Sequence, residues 1–243
     1  MPTLNWIGKE KVVNHHLNVP FRTLEKKEHY GLDNGSMIIH GDNLEALKAL
    51  LPAYEGRVKC VYIDPPYNTG NEGWVYNDNV KDPRIQKWLG EVVGKEGEDL
   101  SRHDKWLCMM YPRLRLLQKM LSEDGAIFIS IDDNEQEYLK CICNEIFGRS
   151  NLVATIIWQK RYSPDVRTAI SDAHEFILCY AKNPELFKTN RHLLPLTTAQ
   201  TKQFSNPDND PRGPWKANDF TAPGYRPNQM YAIVDPKGGV HYP

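Results

Sequence analysis

Residues 35–64 read as a strand, a helix and a second strand joined by links of only a few residues, and few folds accommodate that order. In "GSMIIHGD" a short apolar strand, Met37 to His40, runs into Gly41 and Asp42. In "DNLEALKALLPAY" the positions Leu44, Leu47, Leu50 and Leu51 recur at spacings of three and four, with Asp42 or Asn43 as the cap and Pro52 near the stop. "RVKCVYIDPP" is then a β-rich run ending at Asp64. Two strands linked by one helix form the crossover unit of a parallel sheet, which predicts an α/β fold. In open α/β sheets ligands bind beyond the carboxyl ends of the strands, and Asp42 and Asp64 both stand at such ends.

The remaining segments extend the pattern. A polar, irregular leader precedes Met37, and residues 68–100 suit a long loop with one short helix near 85–92. "SRHDKWLCMMYPRLRLLQKMLSEDG" predicts a helix capped by Ser101 and Asp104, with Leu107, Met110, Leu114, Leu117 and Leu121 on one face and Pro112 kinking or dividing it. "DGAIFISIDD" is a strand, residues 135–147 a helix ending at Gly148, and "NLVATIIWQKR" and "HEFILCYAKN" two further β-rich segments. Beyond Asn183 only "MYAIV" reads as strand, which places a boundary near residues 183–195.

Composition narrows the class. A chain of 243 residues, 40% hydrophobic and 25% charged, is a soluble globular protein with room for one sizeable core. No apolar run of eighteen residues occurs, and "MPTLNWIGKEKVVNHH" lacks the basic start and apolar stretch of a secretory signal, so the expectation is a cytoplasmic protein with no membrane partner. The five cysteines, Cys60, Cys108, Cys141, Cys143 and Cys179, contain no CxxC pair and sit among apolar neighbours, which suits buried free thiols and no metal site. The charge balance is acidic over 1–150 and basic over 151–243, which permits a nucleic-acid face in the second part.

The stretch "CVYIDPPYNTG" closes a strand with an acid, two prolines and a ring. Each proline holds its predecessor extended, so the backbone of Asp64 and Pro65 is stiff. Pro65 and Pro66 lack N–H groups, so the loop offers carbonyl acceptors and a carboxylate, a set suited to a group with two N–H donors such as the exocyclic amine of a nucleobase. Tyr67 supplies a flat face for stacking. Acceptors on such an amine localise its lone pair and stabilise the positive charge that grows as it attacks a methyl group. The structural alternative is a plain strand-to-loop stop, with Asp64 exposed and Tyr67 packing.

These and other segments carry a resemblance. "IIHGDNLEALKALLP", "VKCVYIDPPYNTGNEGW", "RHDKWLCMMYPRL", "DGAIFISIDDNE", "NEIFG", "IIWQKR" and "HEFILCYAKN" resemble the successive motifs of bacterial DNA amino-methyltransferases of the permuted beta order, in particular the modification subunits of type III restriction systems. "NWIGKE" and "GYRPNQMYAIV" fit as well. The resemblance implies a Rossmann-like fold, circularly permuted, with S-adenosylmethionine as cofactor and adenine N6 in duplex DNA as target, cytosine N4 being the alternative that DPP rather than SPP disfavours. It makes Asp64, Pro65, Pro66 and Tyr67 the catalytic motif and gives Asp42, beside Asp64, a contact with the cofactor, although Asp42 also suits a helix cap. Asp132 and Asp133 suit capping of the next helix. Lys160, Arg161 and Arg167 are candidates for phosphate contacts, with a solvated loop as the alternative. A second copy and a restriction subunit are partners that the family admits.

The family's glycine-rich cofactor loop, and the strand leading to it, have no match in this chain. In the family's sheet those strands lie between the one ending at Asp42 and the one ending at Asp64. The expectation is therefore an incomplete methyltransferase fold: a leader over 1–35, a partial catalytic domain over 36–190 and the start of a target-recognition region over 191–243. A non-catalytic DNA-binding or assembly fragment is the rival reading, and methylation of RNA or of a protein amide is a further one. A nucleotide-binding P-loop is excluded, because "GEVVGKEG" has the wrong spacing. "HEFIL" lacks the second histidine of a metalloprotease helix, which leaves His174 structural.

Overall fold

Two short helices, α1 (Lys9–Val12) and α2 (His15–Asn18), occupy the segment expected to be irregular. They are docked, with Val12 and His16 buried and the Lys48 ammonium donating to the His16 and Leu17 carbonyls. The computed structural model describes residues 3–31, 35–69, 87, 90–91, 102–163, 171, 173–218 and 224–242. The short helix expected near 85–92, the Ser101 cap and most of the 68–100 loop lie outside the described residues.

Helix α3 (Asn43–Tyr54) forms where the leucine spacing puts it, and Asp42 caps it by accepting from the Leu44 and Glu45 amides at 2.9 and 3.2 Å. The strand expected over Met37–His40 does not form: the segment has no ladder partner among the described residues, and Ile38 is 99% exposed. A strand exists only through bonds to a neighbour. Strand β1 (Val58–Ile63) lies at one end of its sheet, so no described strand joins it to residues 37–40.

Helix α4 (Arg102–Met120) runs through Pro112 as one element, so of the expected kink or division the division does not occur. It leads into β2 (Leu121–Ile131), which starts earlier than the Asp124-Gly125 turn expected to introduce it. That turn is instead a bulge: Val58 pairs with Leu121 but Cys60 with Ala126. Gly125 is required there, because a Cβ would fall 2.6 Å from the Val58 carbonyl oxygen. Helix α5 (Gln136–Phe147) ends at Gly148, whose φ of 96° suits glycine. The expected caps do not cap it; Glu135 takes the N-cap position, and Asp132 binds Asn134 in the preceding turn.

Strands β3 (Leu152–Gln159) and β4 (His174–Ala181) complete a four-stranded sheet of order β1-β2-β4-β3. The β1–β2 pairing is parallel, and both pairings of β4 are antiparallel. The carboxyl ends of β1, β2 and β3 and the amino end of β4 therefore share one edge. A mixed α/β sheet led by a parallel pair fits part of a Rossmann-like methyltransferase fold.

One face of the sheet carries the core. Ile127, Ile129, Ile131, Leu178 and Tyr180 pack against Trp106, Leu107 and Leu114 of α4 and Leu139 and Ile142 of α5. Each such fully buried apolar side chain contributes about 1.5–3 kcal/mol. The other face is covered at one end by α6 (Pro184–Asn190), where Phe187 packs with Ala126, Cys179 and Ala181. Tyr62, Ile156 and Trp158 stay exposed on β1 and β3. All five cysteines are free; Cys108, Cys143 and Cys179 are buried as expected, whereas Cys60 and Cys141 are exposed.

Contacts divide the chain into units 1–191 and 192–243. The second unit holds α7 (Thr198–Thr201), closed by a Thr197–Gln200 capping box, and a Ser205–Trp215 bridge. Of "MYAIV" only β5 (Ile233–Val234) is strand, paired with β6 (Val240–His241) through a turn in which Asp235 accepts from the Lys237 and Gly239 amides. Among the described residues no helix is long and apolar enough to cross a membrane.

Candidate active site

Asp64 follows β1 directly and is exposed, while Pro65, Pro66 and Tyr67 are half-buried. The segment from Pro66 to Asn68 is held from beneath. The Trp106 indole donates to the Pro66 carbonyl at 2.6 Å, leaving the Pro65 carbonyl as the loop's other acceptor. Asn68 adopts a left-handed backbone, φ 58°, and is 1% exposed. Its amide nitrogen donates to the Glu135 carboxylate and, at 3.2 Å, to the Arg102 carbonyl. His103 Nδ1 lies 2.7 Å from the same Glu135 oxygen.

Glu135 is fully buried. Burial pushes its carboxyl above the usual range, while Asn68 and His103 pull the other way. Glu135 Oε2 and Asn68 Oδ1 have no hydrogen-bond partner among the described residues. The first turn of α4 and the residue before α5 thus fix the far end of the Asp-Pro-Pro-Tyr loop, and the two prolines transmit that fixation to Asp64.

Tyr67 packs its ring against the main core. Its hydroxyl reaches Glu175 Oε2 in a long contact of 3.4 Å and also bonds with the side chains of Asp64 and Ser130. Burial, followed by the negative charge of Asp64 and Glu175, raises the phenol far above its ordinary pKa, so it stays protonated. Glu175 Oε1 in turn meets the Lys160 ammonium at 3.2 Å. Asp132, at the end of β2, has its carboxyl raised by burial and faces the charges of Lys160 and Glu175.

A cleft of about 320 Å³ adjoins this edge. Asn43 and Leu47 of α3 line one side, Ile63, Asp64 and Pro65 the other, and Met109 and Arg113 of α4 contribute to the rest. Arg113 ties the α3 side together: its Nε donates to Asn43 Oδ1 at 2.7 Å, its Nη1 to the Met109 carbonyl at 2.7 Å, and Nη2 lies 3.8 Å from Asp42 Oδ2. Burial lowers the guanidinium pKa, and Asp42 opposes that.

Of the residues singled out in sequence, Asp64, Pro65 and Pro66 line the cleft, Tyr67 adjoins it and Asp42 stands at its α3 end as the helix cap. Lys160 belongs to the same sheet edge through Glu175, whereas Arg161 is exposed beside it. Arg167 lies outside the described residues. His174 stacks edge-on against Phe176. Sequence reasoning gave no role to Asn68, His103, Trp106, Arg113, Glu135 or Glu175. All stand inside the quoted motif segments or directly beside Tyr67, so their proximity to the loop could have been suspected, but not their partners.

A DNA methylase family model, covering N6 and N4 enzymes, matches residues 58–233. The chain is 40% identical over 200 residues to the Mod subunit of the type III restriction-modification enzyme EcoP15I of Escherichia coli, covering 75% of this chain and 30% of that subunit. It is 41% identical over 203 residues to the EcoPI Mod subunit of Escherichia phage P1, covering 76% and 31%. To the type II methyltransferase M.KpnI of Klebsiella pneumoniae it is 34% identical, covering 68% and 37%. The chain thus spans about a third of the length of these relatives. Among solved structures, the DNA modification methylase TTHA0409 of Thermus thermophilus overlaps 67% of this chain and 58% of its own at 20% identity and a TM-score of 0.37.

Proposed function

The chain belongs to the DNA methylase family, and from that premise we propose that it serves the transfer of a methyl group from S-adenosylmethionine to the exocyclic N6 of an adenine flipped out of duplex DNA. The observation that carries the reading is the placement of Asp64: an exposed carboxylate at the carboxyl end of β1, on a loop with no N–H at its two prolines, on the wall of a cleft.

The residues present suit the cofactor. The cleft offers Leu47, Ile63 and Met109 as apolar surface against which a flat adenine ring packs, and the Asp64 carboxylate at its edge, which attracts a positively charged sulfonium. When bound, S-adenosylmethionine supplies a methyl group activated on a positively charged sulfur. The protein's part is geometric and electrostatic. Asp64 and the Pro65 carbonyl accept the two amine hydrogens, which favours a pyramidal nitrogen with a localised lone pair, and the fixed backbone leaves little to reorganise as charge develops. Tyr67 offers the outer face of its ring to the base while its hydroxyl is tethered.

Duplex DNA is thus the proposed partner, with Lys160 and Arg161 near the sheet edge as phosphate contacts, together with a second copy and a restriction subunit of the kind that the type III relatives' names imply. The test is to incubate the protein with duplex DNA and methyl-labelled S-adenosylmethionine and analyse the digested nucleosides. N6-methyladenine in the unaltered protein and none with Asp64→Ala is the expected result. N4-methylcytosine would change the base, and label confined to RNA or protein would overturn the reading. Salt-dependent DNA binding without transfer would favour the non-catalytic fragment.

A further inference from the structure

Glu135 occupies the N-cap position of α5, yet its side chain makes no capping bond to that helix. It turns inward instead and is fully buried. Glutamate is not among the residues favoured as caps, and enclosing a carboxyl in this way costs folding free energy rather than supplying it. Its place is therefore accounted for by what it holds. Oε1 accepts from the Asn68 side-chain amide and lies 2.7 Å from His103 Nδ1, while Oε2 has no hydrogen-bond partner among the described residues. One oxygen is used twice and the other bonds to none of them.

What Oε1 holds is the end of the Asp-Pro-Pro-Tyr loop. Strands β1 and β2 are parallel neighbours, with Ile63 opposite Ile129, so the loop after β1 and the turn after β2 leave the sheet side by side. Tyr67 is flanked by two anchors. On one side the Pro66 carbonyl is bound by the Trp106 indole at 2.6 Å; on the other the Asn68 amide nitrogen is bound by Glu135 and by the Arg102 carbonyl. Asn68 keeps a left-handed backbone, φ 58°, a state with little margin for a residue other than glycine. Releasing its side chain frees that dihedral, and with it the Tyr67 ring one residue away.

We propose that Glu135 is a positioning residue for methyl transfer: through Asn68 it sets the plane of the Tyr67 ring and the aim of the Asp64 carboxylate, while its own burial keeps it from base and cofactor. This rests on the functional reading above and extends it to a residue outside the Asp-Pro-Pro-Tyr motif. The part that matters is the Oε1 acceptor, not the charge. An amide nitrogen in place of Oε2 breaks no bond to the described residues, whereas loss of Oε1 takes the acceptor from both Asn68 and His103. Transfer that depends on alignment slows on the order of a hundredfold for a misplacement of about 1 Å.

The test compares the full chain with Glu135→Gln and Glu135→Met. Glutamine keeps the acceptor, and methionine keeps length and bulk without it. In methylation of duplex DNA, Glu135→Met should lower kcat on the order of tenfold to a hundredfold, with KM for DNA and for S-adenosylmethionine within about threefold. Glu135→Gln should stay within about threefold in kcat and in both KM values. Phe187→Ala, which opens a cavity at the other end of the sheet, controls for lost stability alone and should leave kcat within about twofold. Hydrogen exchange of the peptide carrying Tyr67 and Asn68 is read independently of activity; it should quicken in Glu135→Met and stay unchanged in Glu135→Gln. The proposal is overturned by a Glu135→Met kcat within about threefold of the unaltered protein, by an equal fall in Glu135→Gln or in Phe187→Ala, or by unchanged exchange in Glu135→Met. Should Glu135→Met not fold, Glu135→Gln decides: a kcat within about threefold upholds the acceptor role, and a larger fall overturns it. If the unaltered protein transfers no methyl group, it is the functional reading that fails, and the exchange measurement alone decides whether Glu135 holds the loop.

Discussion

Replacing Asn68 by alanine should unfold the protein at markedly lower denaturant concentration, and the structure sets the size of the effect. The substitution removes a hydrogen bond to the buried Glu135 carboxylate, of the kind worth about 1.5–3 kcal/mol, and a second bond to the Arg102 carbonyl worth about 1 kcal/mol. It also leaves a non-glycine residue without a local polar side chain at φ 58°, which costs roughly 1 kcal/mol more. The expected loss is about 3–5 kcal/mol, a large share of the 5–15 kcal/mol typical of a folded domain. Asn68→Gly removes the backbone strain but not the lost bonds and should recover about 1 kcal/mol of that loss. Equilibrium urea unfolding followed by circular dichroism measures both. A loss below about 1 kcal/mol for Asn68→Ala would refute the account of Glu135 as a buried carboxyl that depends on Asn68. Equal losses for alanine and glycine would refute the backbone part alone.

The other expectations are simpler. Cys60 and Cys141 should react with a thiol reagent at neutral pH, while Cys108 and Cys179, pushed up to about 11 chiefly by burial, and the fully enclosed Cys143 should react only on unfolding; more than two fast thiols would contradict the burial. His16 is lowered to about 4 by burial and by the nearby charges of Arg115 and Lys119, so the unfolded chain binds its proton more readily than the folded one. Stability should therefore fall as the pH drops from about 6.5 toward about 4, and a His16→Gln protein whose acid limb matched the original would rule His16 out as a cause. Ile38→Ser should leave the unfolding midpoint unchanged, since the side chain is 99% exposed; a clear loss of stability would show that residues 37–40 are held by something beyond the described contacts.

Much of the scaffold was legible because its signals are local. The leucine spacing of residues 44–51, the apolar face of 107–121 and the run at 126–131 each declare one element and the side it buries, and α3, α4 and β2 form there. The Asp-Pro-Pro-Tyr loop was legible for the same reason, since proline sterics act between neighbours in sequence. Two kinds of feature were not. Met37–His40 has the composition of a strand, but strand formation depends on a partner that no local pattern reports, and without one the segment stays exposed. The supports beneath the loop join residues far apart, Asn68 to Glu135 and Tyr67 to Glu175, and an isolated Glu in either segment looks like any solvated acid until the fold gives it a partner.

The same distinction separates the two halves of the candidate site. Asp64 is fixed by covalent stiffness, by the Trp106 bond to Pro66 and by the Asn68–Glu135 pair, all anchored in the β1–α4–β2 core. Among the described residues no strand joins the α3 side of the cleft to that sheet, and residues 37–40 pair with none of them. Its position relative to Asp64 therefore rests on α4: on Leu44 and Leu51 packing against Leu116 and Met120, and on Arg113 bonding both Asn43 and the Met109 carbonyl. Apolar packing is tolerant of small slides, whereas a buried guanidinium with directed bonds is not. Among the described residues, Arg113 is thus the directed link that holds the α3 cap at Asp42 to α4, and α4 carries the Trp106 that fixes the Asp64 loop.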